Sequence, residues 1–157
     1  MEWENLKKKG YFSSKEAAML PALPSWERIL KGPVAVIECV QDIPCNPCET
    51  TCKFKAISVG NDITNLPQLD VDKCTGCGTC IYGCPGLAIF VVDGSITGAL
   101  GKVSFPHEYL PLPVAGQVVD VVNRAGEVIC KGKVDKVLNT KTSDKTPVIQ
   151  VFVPKDL

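Results

Sequence analysis

The sequence predicts an α+β protein with three parts. These are an N-terminal docking extension over residues 1–33, a cysteine-rich core over 34–94 and a small all-β domain over 95–157, which we expect to be barrel-like. Three observations carry this prediction. The core holds eight of the nine cysteines, in a pattern that repeats once. Proline and aromatic residues are frequent before it, and runs rich in branched residues, typical of strands, follow it.

The N-terminal extension contains two short helix signals. Ser13 or Ser14 caps a helix that Pro21 ends, and Ser25 caps a second helix that Gly32 closes. The aromatic residues of the extension are Trp3, Tyr11, Phe12 and Trp26. Their side chains have two interpretations that the sequence leaves open: they pack over the chain's own core, or they anchor the extension in a partner subunit.

The second half of the cysteine pattern has two, two and three residues between successive thiols, and a proline follows it. Its residues are Cys74, Cys77, Cys80, Cys84 and Pro85. This spacing is typical of bacterial 4Fe-4S sites, in which three thiolates bind one cluster and the fourth binds the other. Gly76 and Gly78 suit a backbone that passes close to an inorganic core. Structural zinc is the alternative, but its paired ligands leave the third short interval and the closing proline unexplained.

The first half of the pattern is the same unit with three extra residues in its opening loop. Its last three thiols lie 32 positions before their counterparts, and its first thiol lies 35 positions before. These residues are Cys39, Cys45, Cys48 and Cys52. Asp42 competes as the first ligand because unbroken spacing would place the ligand there, but thiolate is the softer and usual ligand of a cluster. Lys53 stands where the second half has its proline.

The crossed pattern gives each cluster three thiolates from one half and the fourth from the other. We therefore expect two neighbouring 4Fe-4S clusters and two halves that do not fold separately. The first cluster is predicted on Cys39, Cys45, Cys48 and Cys84, and the second on Cys74, Cys77, Cys80 and Cys52.

Residues 34–92 resemble the dicluster bacterial-type ferredoxin family, which implies a pseudo-twofold fold of two short helices on small antiparallel strands. The chain is also similar to the small 4Fe-4S subunits of flavin-dependent amine and amino-acid dehydrogenases of the proline, hydroxyproline or sarcosine type. That similarity rests on Gly32–Cys39, Ile43–Glu49 and Cys84–Ile89. It implies an electron-transfer subunit that is not catalytic alone and relays electrons within a larger complex. Its implied partners are flavoprotein subunits and another iron–sulfur subunit.

Charge and composition restrict the other function classes. Seventeen basic residues balance seventeen acidic ones, so no overall field favours nucleic acid or an anionic membrane. The apolar runs are too short to span a bilayer and no export signal follows the charged start, so we expect a cytoplasmic protein. A free, diffusible ferredoxin is one alternative function, which zero net charge and the flanking segments disfavour. A cluster-bearing regulator that binds nucleic acid is another, and it lacks a basic stripe.

The C-terminal domain contains three clear strand signals and two reactive side chains. The strand signals cover Gln117–Val122, Glu127–Leu138 and Val148–Val153, with a turn at 123–126. Cys130 alternates with Val128 and Val134, which predicts a buried apolar position and no ligand role. His107 lies in a proline-bounded loop with no identified acid–base partner, which predicts a structural or solvated side chain.

Overall fold

The computed structural model describes residues 3–143 and 145–157. The helices are α1 (Glu4–Lys9), α2 (Ser14–Ala17), α3 (Trp26–Lys31), α4 (Pro47–Thr51) and α5 (Thr79–Gly83), with a 3-10 turn at Lys141–Ser143. The strands are β1 (Val34–Ile37), β2 (Ile57–Ser58), β3 (Gln68–Leu69), β4 (Ile89–Asp93), β5 (Leu100–Pro106), β6 (Val118–Val122), β7 (Val128–Leu138) and β8 (Val148–Pro154). The α+β prediction is confirmed: short helices stand beside antiparallel strands.

The strands form one large sheet and one small sheet. The large antiparallel sheet has the order β1-β4-β5-β8-β7-β6, and β2 pairs with β3 in the small one. The pairing crosses between the two cysteine halves: Ile37 of the first half pairs with Ile89 of the second, and Ile57 pairs with Leu69. Neither half therefore completes its own strand pair, and the arrangement is consistent with a ferredoxin-like fold.

Helices α4 and α5 are equivalent elements of the repeat, since Pro47 and Thr79 begin them 32 positions apart. They touch at equivalent positions. A Cβ added at Gly83 would stand 2.8 Å from the hydroxyl oxygen of Thr51, which is the residue 32 positions earlier. Contact between two equivalent residues is what a pseudo-twofold axis between the helices requires. Glycine at position 83 permits this close approach because it has no side chain.

The main core lies between the helices and the β1–β4 pair. Ile37, Ile81 and Ile89 are fully buried and belong to one apolar cluster. All four residues of β1 are buried, which shows that this edge strand is covered on both faces. Cys48 and Cys80 belong to the same cluster. The thiols are thus placed directly beside the apolar core.

The N-terminal extension packs on the chain's own first cysteine loop. Phe12, Ala17 and Leu20 form a small core that Trp3, Leu6 and Val40 join. The Ser13 cap is confirmed and is reinforced by the side chain of Glu16, which accepts from the Ser13 amide. Ser25 caps α3 as predicted. Trp26 differs from the other tryptophan, because it is 51% exposed.

The C-terminal strands do not form the separate barrel-like domain that the sequence predicts. Strand β5 pairs with β4 of the core, for example Val91 with Ser104, so the large sheet runs across the expected boundary at residue 95. The physical reason is that β4 has a free edge, and the Asp93 carboxylate accepts from the Ser95 amide to turn the chain back along it. Arg124 nevertheless forms an ion pair with Glu38 at the opposite edge, so the sheet is strongly curled.

Candidate iron–sulfur site

Two cavities beside the core are each lined by four thiols. One is lined by Cys39, Cys45, Cys48 and Cys84, and the other by Cys52, Cys74, Cys77 and Cys80. These are the two sets that the crossed spacing predicts. The thiols surround the cavities: in the described part of the chain, no three His, Cys, Asp or Glu side chains converge to hold a single metal ion. The donor set of each cavity fits a cubane cluster, whose four irons each take a separate thiolate.

Each short helix supplies one thiol to each cavity because its last cysteine leaves the helical path. Side chains four residues apart on a continuing helix share one face. Cys52 and Cys84, however, are C-cap residues with extended backbone, at φ −74°, ψ 99° and φ −90°, ψ 111°. They therefore turn away from Cys48 and Cys80, their partners four residues earlier. This local change of direction produces the crossing.

Backbone amides donate to three of the sulfur atoms. The amide of Ala56 lies 3.3 Å from Cys52 Sγ, and the amide of Ala88 lies 3.5 Å from Cys84 Sγ. These two bonds are equivalent, 32 positions apart. The amide of Ala35 donates to a third sulfur, Cys74 Sγ, at 3.4 Å. Hydrogen bonds to the sulfur ligands are a means by which proteins tune cluster potentials.

The protonation of the thiols differs with burial. Burial, with neighbouring thiols as the next cause, raises the pKa of Cys48 to about 11 and that of Cys80 to about 12. Burial also raises the pKa of Cys39. Burial acts in the same direction on Cys77, but hydrogen bonds from Thr79 and Thr75 outweigh it and lower the pKa of that thiol. Metal binding must therefore displace protons that Cys48 and Cys80 hold firmly.

The structure separates the two candidates for the first ligand. Cys39 is half-buried and lines the first cavity together with Cys45, Cys48 and Cys84. Asp42 is exposed and is not among the described residues that line it. Its carboxylate lies near enough to contribute to the raised pKa of Cys39. This placement favours the thiol as the ligand.

Gly76 and Gly78 both line the second cavity, where the sequence suggests that glycine lets the backbone approach an inorganic core. Gly76 has a further structural role. A Cβ on Gly76 would stand 2.5 Å from the Cβ of Pro33 and 2.6 Å from its carbonyl, and the residue has a φ of +64°. Gly78, with a φ of +81°, caps α5. The contact with Pro33 thus presses the second cysteine loop against the end of the extension.

Cys130 and His107 lie apart from both thiol cavities. Cys130 is half-buried in β7, and Val134 on the same face is buried, but Val128 is 61% exposed. The prediction that Val128 shares the face of Cys130 is wrong because the β6–β7 register shifts between them: Cys130 pairs with Val121, and Val128 pairs with Val122, which faces the other side. His107 packs edge-on against Phe105 and Tyr109, at ring distances of 6.4 and 5.8 Å.

Arg28 holds the second cysteine loop, a role that the sequence does not reveal. Its guanidinium donates to the carbonyl oxygens of Cys74 at 2.7 Å, Val71 at 2.8 Å and Gly32 at 3.0 Å. It thus joins α3 to the chain that enters the second cavity. A single arginine on a short helix carries no sequence signal for this role, because Cys74 and Val71 lie more than 40 positions away.

Leu6 and Phe12 are two further site residues that the sequence does not reveal. Both line the first cavity, so the N-terminal extension contributes to the wall around Cys39 and its partners. Phe12 is buried and Leu6 is half-buried.

None of the described helices has the length and apolarity that a membrane crossing needs.

Comparison with known families identifies the class. Residues 67–90 match the family described as 4Fe-4S binding domain, a stretch that holds four of the predicted ligands. The chain therefore carries a ferredoxin-type 4Fe-4S binding segment over these residues, which supports an iron–sulfur electron-transfer role.

Three curated proteins are similar over parts of the chain. One subunit of the Na(+)-translocating ferredoxin:NAD(+) oxidoreductase complex of Acetobacterium woodii is 47% identical over 38 residues, 24% of this chain and 11% of its own length. Ferredoxin-type protein NapF of Haemophilus influenzae is 36% identical over 53 residues, 32% of this chain and 30% of its own. Protein Pixie of Drosophila melanogaster is 28% identical over 106 residues, 57% of this chain and 17% of its own.

The chain thus spans less than a third of the length of each of these relatives. No solved structure matches it.

Proposed function

We propose that the chain is an electron-transfer subunit with two 4Fe-4S clusters that relays single electrons from or to a flavin centre. The complex we propose for it is a multisubunit amine or amino-acid dehydrogenase in the cytoplasm. The observation that carries the proposal is the pair of four-thiol cavities, each completed by the opposite half of the repeat. When bound, such clusters exchange one electron each, so two of them match the two electrons that a flavin collects.

The proposed ligands follow the two cavities. They are Cys39, Cys45, Cys48 and Cys84 for one cluster, and Cys52, Cys74, Cys77 and Cys80 for the other. The family match covers the segment of the second half. The placement of the first-half thiols around the cavities, with helix α4 equivalent to α5, supports the extension of this assignment to a second cluster.

The proposed partners are flavoprotein subunits and another iron–sulfur subunit. Their support is the similarity of Gly32–Cys39, Ile43–Glu49 and Cys84–Ile89 to small dehydrogenase subunits. The relative from Acetobacterium woodii is itself named as a subunit of an oxidoreductase complex. Strands β5–β8, which extend the core sheet beyond β4, give the chain additional surface for permanent contacts.

Metal analysis tests the cluster content. Anaerobically prepared protein is expected to contain about eight irons and about eight sulfides per chain, with the visible and electron paramagnetic resonance spectra of cubane clusters. Zinc in place of iron, or about four irons in fully loaded protein, would contradict the proposal of two clusters.

Native isolation tests the complex. The protein is purified anaerobically from the cells that produce it naturally, at its natural expression level. It is expected to elute together with flavin-containing subunits. A monomer that serves unrelated oxidoreductases as a soluble carrier would instead establish the alternative, a free-standing diffusible ferredoxin. Size-exclusion chromatography with flavin fluorescence and iron absorbance on the same fractions separates the two outcomes.

A further inference from the structure

The second cavity reaches the surface beside an exposed aromatic ring. Phe54 lines the cavity of Cys52, Cys74, Cys77 and Cys80 and is 48% exposed. Cys77 is the exposed thiol of the eight predicted ligands, while the other seven are half-buried or buried. An exposed phenylalanine at the edge of a redox site is the kind of anchor on which protein interfaces concentrate their binding energy.

Two lysines flank this ring. Lys53 and Lys55 are both exposed, and neither forms an ion pair with any residue that the structure describes. The amide of Lys55 donates to the carbonyl of Cys52 at 3.0 Å, which fixes the turn that presents them. The surface of Lys53, Phe54, Lys55 and Cys77 is here named the cationic rim.

The charged residues directly next in sequence to the lining of the second cavity are all lysines. None of the residues lining it is charged. Of these three lysines, Lys73 is neutralised by Asp70, because its Nζ lies 2.7 Å from the Asp70 Oδ2 atom. The positive charges that remain are those of Lys53 and Lys55. The first cavity differs, since its charged lining residue, Glu38, is paired with Arg124. A partner that approaches the rim of the second cavity therefore meets two lysine amines, on either side of an apolar ring, that no described carboxylate neutralises.

We propose that the cationic rim docks a redox partner whose acidic surface surrounds its own redox centre. The partner's carboxylates would pair with Lys53 and Lys55, and an apolar residue between them would contact Phe54. One electron then passes between the partner's redox centre and the second cluster site of this protein. One of the two is oxidised by one electron and the other is reduced by one electron. This proposal rests on the proposed electron-transfer function and names the face at which it operates.

Line broadening by a redox-inert anion maps the rim directly. Lysine amines carrying ¹³C-methyl groups keep their charge and give separate signals. Paramagnetic hexacyanochromate(III) is expected to broaden the Lys53 and Lys55 signals of the holoprotein first, and this selectivity should disappear above about 0.5 M salt. Equal broadening of all exposed lysine signals, or broadening centred elsewhere, would overturn the proposal.

Charge reversal tests the same face in electron transfer. The variant Lys53→Glu/Lys55→Glu is compared with Lys133→Glu/Lys136→Glu, which reverses two exposed lysines of β7 that do not line either thiol cavity. Both variants have the same net charge. Hexacyanoferrate(III) takes one electron from the reduced protein and becomes hexacyanoferrate(II). At low salt, the rim variant should react about tenfold more slowly than the control variant.

The outcomes distinguish the rim from the function on which it rests. Equal rates in the two variants, with normal iron content and reversible reduction, overturn the rim and leave the proposed function intact. Protein without iron, or without reversible reduction, contradicts the proposed function before any rate is compared. A dimer on size-exclusion chromatography that Lys53→Glu/Lys55→Glu dissociates would assign the face to a second copy of the chain, and it would also overturn the proposal.

Discussion

The two thiol cavities share their donor chemistry and differ in their surroundings. Each takes four cysteines, one of them from the C-cap of the other half's helix, and equivalent amides donate to Cys52 and Cys84. The first cavity is walled by Leu6 and Phe12 of the extension and by Glu38. The second is held by Arg28 and opens at the cationic rim.

This difference comes from segments outside the repeat. The N-terminal extension contributes α1 and its following loop to the wall of the first cavity, and α3 holds the second cysteine loop. The C-terminal hairpin reaches only the first, through the ion pair of Arg124 with Glu38. The repeated cysteine motif supplies four thiols to each cavity, whereas the segments that flank the repeat give each cavity its own neighbouring side chains and charges.

Removal of all iron is expected to have the largest effect, and it tests whether both cysteine loops depend on metal. Residues 38–88 hold little apolar core, so anaerobic chelation should unfold them while the β5–β8 part of the sheet persists. Iodoacetamide should then alkylate the eight thiols at similar rates. If Cys48 and Cys80 stay much slower than Cys77 at pH 8, the fold persists without metal, because burial and the raised pKa of those two thiols would still protect them.

Loss of a single ligand should break the symmetry between the cavities. Cys39→Ser is expected to reduce the iron content from about eight to about four per chain by removing the first cluster only. Asp42→Ala and Cys130→Ser are matched controls that should keep all the iron, since neither residue lines a thiol cavity. Full iron content in Cys39→Ser together with loss in Asp42→Ala would reverse the ligand assignment.

Gly76→Ala should damage the second cavity more than Gly78→Ala does. Both glycines have positive φ, which costs an alanine about 1–2 kcal/mol. Only at position 76 would the new Cβ also collide with Pro33, and such overpacking adds about 1–3 kcal/mol. Thermal unfolding and iron content of the two holoproteins measure the difference. Equal losses would show that the contact with Pro33 relaxes without cost.

Arg28→Gln should have a smaller effect, confined to the second cysteine loop. Bonds from a charged donor to the carbonyls of Cys74, Val71 and Gly32 contribute about 1.5–3 kcal/mol, and Arg28→Lys should restore only part of this. The expected readout is faster release of about half of the iron to a chelator. Arg124→Gln is the control for the first loop: its partly exposed pair with Glu38 is worth about 0–1 kcal/mol. Equal sensitivity in both variants would contradict the assigned clamp.

The sequence alone predicted which four thiols share each cavity, the cap at Ser25 and, as one of two candidates, the cap at Ser13, together with three strands of the C-terminal part of the sheet. These features depend on contacts within a few residues or on a repeat of fixed length. Cysteine spacing sets which thiols reach which cavity because each helix ends at its last cysteine. The caps work for the same local reason, as each serine side chain bonds an amide three residues on.

The tertiary structure decided what surrounds the ligands. Arg28 meets Cys74 across 46 positions, and Arg124 meets Glu38 across 86. No local pattern specifies such contacts, because they depend on how separate elements pack. The pairing of β5 with β4, which joins the expected barrel-like domain to the core, has the same origin. Exposure follows packing as well, so only the folded chain shows that the extension lines the first cavity and that Phe54 stands exposed at the second.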